Sequence, residues 1–397
     1  MLTGLAVIFL SGLIFGLVSK KMHLPALIGM IAAGIIAGPY VLNIIDGAVL
    51  DISPQLRQLA LVIILTRAGL SLDVNELKKA GRPALLLCFV PATIEIAATM
   101  IFAPMIFGIS YIEAALVGTV IAAVSPAVVV PAMLKIMDEG YGCNKQIPQM
   151  ILAGASADDV YVIVLFTAFS AILAGGEASA MDFVQIPTSI ILGIALGIGV
   201  GILLNLFFTR VHIRDSVKVI IMLSLSFLMI TLQDFSEDYV RVSGLIAIMA
   251  LGMTVFNKNK PLAKRLSAKY NKLWTAAEII LFVLVGAAAD ITAIGAYGLC
   301  TVLLLVVAML FRMAGVYVSM IKTKLSHKER LFCMLAYTPK ATVQAAIGAI
   351  PLSMGLSCGG LVLSVAVLAI LICAPFGAFM IELTYKRLLS KGGGQSG

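Results

Sequence analysis

Residues 125–130 read Ser-Pro-Ala-Val-Val-Val and residues 338–343 read Thr-Pro-Lys-Ala-Thr-Val, so the two segments share an S/T-P-x-x-x-V pattern. Each places a proline inside a long apolar run, where it removes a backbone hydrogen bond and clashes with the preceding helical turn. Backbone groups freed within a membrane are tolerated only against protein or a water-filled cavity, so paired broken helices point to a substrate site. The alternative is two ordinary proline kinks. The residues that we predict to form the crossover are Ser125, Pro126, Thr338, Pro339 and Lys340.

The composition of the chain is that of a membrane protein. Of its 397 residues, 61% are hydrophobic and 12% are charged, whereas a soluble domain carries about 25% charged residues. Such a chain has too little polar surface to cover itself in water, which excludes a soluble enzyme. The net charge of +8 would indicate nucleic acid as a partner of a soluble protein. Here the basic residues lie in short connections between apolar runs, so we expect a lipid bilayer as the partner and no nucleic acid.

Windows of about 20 apolar residues predict an all-α polytopic membrane protein. The thirteen predicted spans are residues 2–18, 24–44, 56–71, 84–107, 112–134, 149–174, 186–208, 217–232, 240–256, 273–289, 293–320, 331–350 and 357–384. Of the 28 Lys and Arg residues, 23 lie in or beside the odd-numbered connections or near the C-terminus, and two lie beside even-numbered connections. Because cytoplasmic connections hold the Lys and Arg, we predict that the N-terminus is outside and the C-terminus is cytoplasmic.

The two proline segments fall in spans 5 and 12 of this topology. Seven spans separate them, and because seven is odd they cross the membrane in opposite senses, as in the inverted repeats of secondary transporters. We therefore predict repeats of five spans, spans 2 to 6 and spans 9 to 13, with spans 5 and 12 as crossed broken helices. Spans 7 and 8 join the repeats, and span 1 is additional.

Two adjacent acids, Asp158 and Asp159, lie near the middle of span 6. A charge at the centre of a membrane helix costs about 3 kcal/mol, so an acid there indicates function. Neighbours on a helix are turned by about 100°, so one carboxylate can face an aqueous funnel and the other the broken helices. Burial and mutual repulsion favour the protonated forms, so a proton and a small hard cation compete for the site. We predict Na+ and proton binding at Asp159 and Asp158.

Four further charged residues in or near the ends of spans are candidates for the site: Glu95, Arg312, Lys340 and Glu278. Glu95 and Arg312 are expected to form an ion pair, either as a structural bridge or as part of the binding site. Lys340 is expected to neutralise the negative ends of half-helices, or to take part in the chemistry. Glu278 lies near the predicted cytoplasmic end of span 10, where it lines the inner mouth or snorkels. The six cysteines show no metal-binding spacing, so we expect no transition-metal site and no cofactor.

Four motifs occur in order along the chain: RAGLSLD from residue 67, AVSPAVVVPAML from residue 123, the aspartate pair, and YTPKATVQAAIG from residue 337. Together they resemble the cation/proton antiporter superfamily, specifically bacterial members of its NHA-type sodium/proton exchanger branch. The resemblance implies a homodimer in a bacterial inner membrane that exchanges Na+ or Li+ for H+. It further implies that Asp159 carries the ion and the proton with Asp158 beside it, and that Glu95 and Arg312 match a charged pair of this branch.

The resemblance also implies alternating access by an elevator-like movement of a core against a scaffold. The implied scaffold is residues 1–83 and 217–292, the core is residues 84–174 and 293–385, the linker helix is residues 186–208, and the flexible tail is residues 386–397. Electrogenic relatives carry a lysine where this chain has Arg312. Because arginine stays charged in any protein environment, it cannot cycle a proton, which favours electroneutral exchange. Two aspartates that carry two protons together are the alternative.

Other functions remain to be separated from this one. An intramembrane aspartyl protease needs two carboxylates that face each other across a water, whereas Asp158 and Asp159 are consecutive and no GxGD motif accompanies a second aspartate. We therefore predict a transporter and not an enzyme. A sodium-coupled organic-anion symporter, a K+/H+ antiporter and a channel stay as alternatives. Selectivity between Na+ and K+ rests on cavity size and backbone oxygens, which composition does not determine.

Overall fold

The structure is a computed structural model that describes residues 1–22, 24–71, 81–175, 180–236 and 242–391. Within these residues the secondary structure is helical throughout, apart from one isolated bridge between Tyr141 and Lys391. The prediction of an all-α protein is confirmed. The glycine-rich tail beyond residue 391 and the loop around residue 76 lie outside the described residues.

The chain forms eighteen described α-helices, numbered here in chain order. They are α1 Leu2–Lys21, α2 Ala26–Ala37, α3 Gly47–Asp51, α4 Ser53–Gly69, α5 Gly81–Leu87, α6 Val90–Phe107, α7 Tyr111–Ala122, α8 Pro126–Asp138, α9 Ile147–Ala174, α10 Ala180–Arg210, α11 Asp215–Ser236, α12 Gly244–Lys258, α13 Lys260–Ala288, α14 Ile291–Ser319, α15 His327–Ala336, α16 Thr342–Ile347, α17 Ile350–Ser353 and α18 Gly359–Leu388. A short 3-10 helix, Cys143–Lys145, precedes α9.

Nine helical stretches in the described part of the chain are long and apolar enough to cross a membrane. They match predicted spans 1, 4, 5, 6, 7, 8, 10, 11 and 13, and the protein is an integral membrane protein. The other four predicted spans, 2, 3, 9 and 12, coincide with shorter helices. The count of thirteen spans therefore stays a prediction.

Two predicted spans differ from the observed helices. Span 2, predicted as residues 24–44, contains only the twelve-residue helix α2, because the chain leaves the helical conformation at Gly38. Span 4, predicted as residues 84–107, is interrupted between α5 and α6, where Pro91 occupies the first turn of α6. A proline disfavours the helical conformation of the residue before it, and its missing N–H needs no partner in a first turn.

Helical structure is interrupted in spans 5 and 12 at the predicted prolines. In span 5, α7 ends at Ala122 and α8 begins at Pro126; in span 12, α15 ends at Ala336 and α16 begins at Thr342. The first half-helix of each span starts with a capping box formed by a serine and the glutamate three residues later. The serine hydroxyl accepts a hydrogen bond from the backbone amide of the glutamate, and the glutamate carboxylate accepts one from the backbone amide of the serine. These boxes are Ser110 with Glu113, and Ser326 with Glu329.

The chain divides into two compact units. The first contains Met1–Asp51, Val74–Val162 and Phe282–Gly397, and the second contains Ile52–Asp73 and Ile163–Leu281. In the first unit α6 packs against α14, and α18 packs against both broken helices. The predicted scaffold and core are defined by movement and not by packing, so that division stays a prediction.

In the second unit, α10 packs closely against α12 through a glycine face. A Cβ at Gly193 or Gly197 would overlap with the backbone carbonyl of Ser243 or Ala247, respectively. The Gly-rich stretch of residues 193–201 therefore serves close helix packing, as the spacing of its small residues predicts.

Candidate ion-binding site

The two broken helices meet at their interruptions, in the first unit. The Ser125 amide donates to the Pro339 carbonyl at 2.8 Å, which joins the unwound segment of span 5 to that of span 12. The half-helix α7 ends here, and the last carbonyls of a helix have no partner within it. They carry partial negative charge and need donors from elsewhere.

Three side chains from other elements supply these donors. Lys340 Nζ donates to the Ile121 carbonyl, Arg312 Nη1 to the Ala122 carbonyl, and Gln344 Nε2 to the Ala123 carbonyl at 2.9 Å. Two of the donors are cations, which are favoured at a helix C-terminus. The structure thus places Lys340 at the end of a half-helix, where the sequence predicted a neutralising charge.

The same two cations also hold two carboxylates. Arg312 binds Glu95 through Nη1 and Asp158 through Nη2, both at 2.9 Å, and Lys340 Nζ binds Glu95 Oε1 at 2.6 Å. All four side chains have no solvent exposure. The predicted pair of Glu95 with Arg312 is present, but it is one part of a four-membered cluster. Glu95 therefore has a second cation, which the sequence interpretation did not give it.

Arg312 is held in one orientation by further contacts. Its Nε donates to the Tyr337 carbonyl at 2.7 Å, and its guanidinium carbon lies 5.6 Å from the centre of the Tyr337 ring. With its bonds to Glu95, Asp158 and the Ala122 carbonyl, four of its five N–H donors are in use. A side chain bound in this way has no freedom to follow an ion.

Asp158 and Asp159 have different surroundings although they are adjacent. Asp158 Oδ2 accepts from the Val124 amide at 2.8 Å and from Arg312, and its side chain is fully buried. Asp159 is 8% exposed, and its Oδ1 has no hydrogen-bond partner among the residues that the structure describes. No Lys or Arg in the described part of the chain forms an ion pair with it. Asp159 is thus the carboxylate that the cluster leaves available.

Several buried oxygens near the crossover have no hydrogen-bond partner within the described part of the chain. They are Ser125 Oγ, Asp158 Oδ1, Asp159 Oδ1, Thr342 Oγ1 and Gln344 Oε1. An unpaired buried polar atom costs free energy, so each calls for a partner such as water or an ion. Carboxylate, hydroxyl and carbonyl oxygens are the ligands that hard cations prefer. Among the described residues no three His, Cys, Asp or Glu side chains converge as a metal-binding group, so a cation here would combine aspartate with neutral oxygens.

Glu278 belongs to the second unit, whereas the crossover residues belong to the first. It is a partly buried residue of α13 within the second unit, where it has an interaction partner. Its predicted place at an inner mouth stays a prediction.

The sequence interpretation missed two residues that line the crossover. Gln344 is a polar side chain in the apolar run ATVQAAIG, and Tyr337 precedes the proline segment. A side-chain amide buried in an apolar membrane helix needs a hydrogen-bond partner. The presence of a glutamine in this apolar run therefore could have indicated that Gln344 contacts another polar group. The capping boxes were likewise visible as an S-x-x-E pattern at residues 110–113 and 326–329.

An all-helical membrane protein in which two interrupted helices meet beside buried charges has the architecture typical of secondary transporters. The chain belongs to the sodium/hydrogen exchanger family: the family model described as "Sodium/hydrogen exchanger, transmembrane" matches residues 5–386. By this description the family is one of membrane transporters.

Relatives agree with this membership, and a solved structure shares the fold. The chain is 33% identical to mouse sodium/hydrogen exchanger 9B2 over 404 residues, which cover 96% of this chain and 72% of that protein. It is 31% identical to the human 9B2 protein, with 98% and 75% covered. The fold matches that of the sodium proton antiporter MjNhaP1 from Methanocaldococcus jannaschii, with a TM-score of 0.81, 18% identity and 97% of each chain covered.

Proposed function

We propose that this protein is a secondary antiporter that exchanges Na+ or Li+ for H+, with Asp159 as the carrier of both. The observation that carries the proposal is the contrast between the two aspartates: Asp158 is bound by Arg312, whereas Asp159 has no cation partner among the described residues. A buried carboxylate without a partner must gain a proton or a metal ion to be stable. The names of the relatives, sodium/hydrogen exchangers, support these two ions.

The charges of the cluster support electroneutral exchange. When Asp159 is counted with the four-membered cluster, Glu95, Asp158 and Asp159 contribute three negative charges, and Arg312 and Lys340 contribute two positive charges. The cluster is neutral when Asp159 holds one proton and equally neutral when it holds one Na+. It carries one negative charge when Asp159 is empty. Because moving a net charge through the low-dielectric membrane is costly, only the two loaded forms cross, and one Na+ exchanges for one H+.

Alternating access by an elevator-like movement agrees with how the crossover is held. At one end of the broken helices Ser357 Oγ donates to Glu113 at 2.8 Å, and at the other end Lys145 Nζ binds Glu329 at 2.8 Å. The freed backbone groups between them are bonded to Lys340, Arg312, Gln344 and Asp158. Bending either broken helix would break buried hydrogen bonds, so movement of the core as one body is the less costly route.

The proposal includes the assembly and orientation that the sequence suggests. The core is residues 84–174 and 293–385, and it moves against a scaffold of residues 1–83 and 217–292 in a homodimer. The Lys and Arg distribution supports an N-terminus outside and a cytoplasmic C-terminus. The motif resemblance to bacterial exchangers supports a bacterial inner membrane and a role in pH homeostasis.

Proteoliposomes test the proposal directly. The purified protein is reconstituted with an internal pH-sensitive dye, a pH gradient is imposed, and NaCl, LiCl, KCl or choline chloride is added outside. We expect a dye response to NaCl and LiCl and none to choline chloride. A response to KCl alone would assign K+/H+ antiport instead. If no alkali cation gives a response, the antiporter proposal is wrong, and sodium-dependent uptake of labelled organic anions becomes the next measurement.

A further inference from the structure

The net positive charge of the chain is concentrated in two short segments of the second unit. Residues 209–218 and 257–272 together hold nine Lys and Arg residues and one acid, Asp215. Of the 28 basic and 20 acidic residues of the chain, 19 of each lie elsewhere, so these two segments carry the whole net charge of +8. The rule that basic residues stay on the cytoplasmic side accounts for cations here, but not for the near absence of acids among them.

Most of these cations lie on the first half of α13, which has two different faces. Its apolar side chains recur at intervals of four residues and are at most 6% exposed; they are Leu262, Leu266, Tyr270 and Trp274. Residues four apart share one side of a helix, so this side packs against the protein. The basic side chains of the same stretch are exposed, and they are Lys260, Lys264, Arg265, Lys269 and Lys272. These five residues are called the basic face below.

The basic face adjoins the membrane-spanning part of the same helix. α13 has 29 residues, which rise about 43 Å, whereas the hydrocarbon core of a bilayer is about 30 Å thick. The predicted span begins at residue 273, so the basic half extends beyond the hydrocarbon. Trp274, the single tryptophan of the chain, lies at this boundary, where tryptophan is enriched in membrane proteins. The basic face therefore lies at the level of the phospholipid headgroups.

Asp215 neutralises only a small part of this charge. Its Oδ2 accepts from Arg265 Nε at 2.9 Å, and its Oδ1 lies 3.5 Å from Lys218 Nζ. For the other exposed cations the structure records no ion pair within the residues that it describes; they are Arg210, Arg214, Lys258, Lys264, Lys269 and Lys272.

This arrangement of charges is unfavourable unless an anion binds to it. Like charges four residues apart on a helix repel each other, as Lys260 and Lys264 do, and likewise Arg265 and Lys269. Cations in the first turns of a helix also oppose its macrodipole, which favours anions there. A helix face that meets only water normally carries both signs of charge. Phosphate groups would relieve both penalties, and the nearest phosphates are those of the adjoining leaflet.

We propose that the basic face of α13, together with Arg214 beside Asp215, binds anionic phospholipid headgroups of the cytoplasmic leaflet. Bound lipid neutralises the cations and stabilises the second unit in the bilayer. Because the surface recognises negative charge, anionic phospholipids bind and zwitterionic phospholipids do not. The proposal does not depend on which ions the protein exchanges.

Thermal melting of the purified full chain in a nonionic detergent measures this binding. We expect phosphatidylglycerol to raise the melting temperature, phosphatidylcholine to leave it unchanged, and high salt to reduce the rise. Lys264→Gln, Lys269→Gln and Lys272→Gln together should weaken the apparent affinity for phosphatidylglycerol by roughly 100-fold, because each lysine beside an anionic surface contributes about fivefold. The same three positions changed to Arg keep their charge and should keep the affinity.

The matched control combines Lys322→Gln, Lys324→Gln and Lys328→Gln. It removes three exposed lysines of the first unit that are predicted to lie on the same side of the membrane. This variant should keep the effect of phosphatidylglycerol. An equal loss in both triple variants would overturn the proposed surface, since net charge alone would then explain the attraction.

Single variants replace the first triple variant if it fails to fold. Lys264→Gln, Lys269→Gln and Lys272→Gln should each weaken the affinity about fivefold, and no change in any of them would overturn the proposal.

Two further additions identify the class of ligand. Potassium phosphate, compared with potassium chloride at equal ionic strength, tests a free phosphate, and a single-stranded oligonucleotide tests nucleic acid. A rise in melting temperature with either one, and none with phosphatidylglycerol, would overturn the assignment to lipid. None of these measurements requires transport, so their outcome is separate from that of the proposed antiport.

Discussion

Asp158 and Asp159 show how one position along a helix changes the chemistry of a carboxylate. Val124 and Arg312 donate to Asp158 at the crossover, and neither forms a hydrogen bond with Asp159 Oδ1. The sequence predicted that the two side chains diverge, because the helical turn per residue is fixed. It could not assign which of them meets the arginine, since the donors lie 34 and 154 residues away along the chain.

Asp159→Asn should abolish exchange while the protein stays folded. The amide has almost the volume of the carboxyl but cannot titrate, so the cluster stays neutral and gives no site where a proton and Na+ displace each other. Na+-driven dye responses in proteoliposomes measure the loss. Gel filtration and melting temperature serve as controls for folding. Exchange at the wild-type rate would refute the role of Asp159.

Arg312→Ala should destabilise the protein by about 3 to 5 kcal/mol, the cost of removing one partner from a buried ion pair. The sequence alone suggests that Glu95 is then left unpaired. In the structure Glu95 keeps Lys340, and Asp158 loses its only recorded cation partner among the described residues. Thermal unfolding in detergent measures the loss.

The matched variant is Lys340→Ala, which removes the other cation of Glu95 and leaves Asp158 paired. Because Asp158 is then spared, this variant should retain more stability than Arg312→Ala. An Arg312→Ala protein that melts like the unchanged protein but no longer responds to Na+ would move Arg312 from the supporting cluster into the binding site.

At the level of whole elements, the two broken helices are built on one plan. Each begins with a capping box, and the glutamate of each box accepts a further bond from the connection before another helix: Ser357 reaches Glu113 ahead of α18, and Lys145 reaches Glu329 ahead of α9. The contact of Lys145 with Glu329 is an ion pair, whereas Glu113 accepts a hydrogen bond from the neutral hydroxyl of Ser357. This correspondence is the arrangement expected of inverted repeats, and it supports the predicted repeat.

Glu329→Gln should lower stability by about 1 kcal/mol, since it weakens a helix cap and removes an ion pair. Glu329 precedes predicted span 12. Burial alone would raise the pKa of Glu329, but hydrogen bonds from Lys145 and the Ser326 amide outweigh burial and hold this pKa below its usual value. A lowered carboxylate pKa stabilises the fold above the unfolded-state pKa of about 4.3, and the contribution is lost as the pH falls through the folded-state value.

Melting temperatures at several pH values test this prediction. The difference between the unchanged protein and Glu329→Gln should be full near neutral pH and should vanish in acid. Glu113→Gln is the matched variant at the other box, where the extra partner is a neutral hydroxyl, so its effect should be smaller. A difference that grows in acid would contradict the assignment of the ion pair.

Gly154→Ala should push the aspartate helix α9 away from the crossover. A Cβ at Gly154 would overlap with Tyr337 Oη and would lie 2.7 Å from Leu87 Cβ. Overpacking of this kind costs about 1 to 3 kcal/mol. Tyr337→Phe removes the overlapping oxygen, so the double variant should recover part of the loss in melting temperature. If the two changes are additive, the close approach of Tyr337 to Gly154 does not limit the position of α9.

The same elements show which features of the fold a sequence can predict. The prolines Pro126 and Pro339 mark where a helix can be interrupted, because proline removes a backbone hydrogen bond and disfavours the helical conformation of the residue before it. Pro104, Pro131 and Pro375 lie within helices, so this local chemistry is not sufficient by itself. The interruption before Pro91 has the same local cause, but apolar windows of about 20 residues average over it. The donors that satisfy the freed carbonyls, such as Gln344, come from distant parts of the chain, and periodicity holds no information about them.

For the molecule as a whole, the charge balance of the buried cluster gives the last prediction. Three acids face two bases, so binding of one Na+ or one H+ leaves no net charge to move across the bilayer. One elementary charge is worth about 2.3 kcal/mol per 100 mV. For exchange of two protons for one Na+, that potential would change the equilibrium Na+ gradient roughly 40-fold at a fixed pH gradient, or the proton gradient roughly 6-fold at a fixed Na+ gradient. One-for-one exchange should not respond to the potential.

The final Na+-driven pH gradient is measured in proteoliposomes whose membrane potential is clamped, at either sign, with a potassium gradient and valinomycin. A gradient that follows the potential would mean that a second group, with Asp158 or Lys340 as the titratable candidates in the cluster, gains and loses a proton in each cycle.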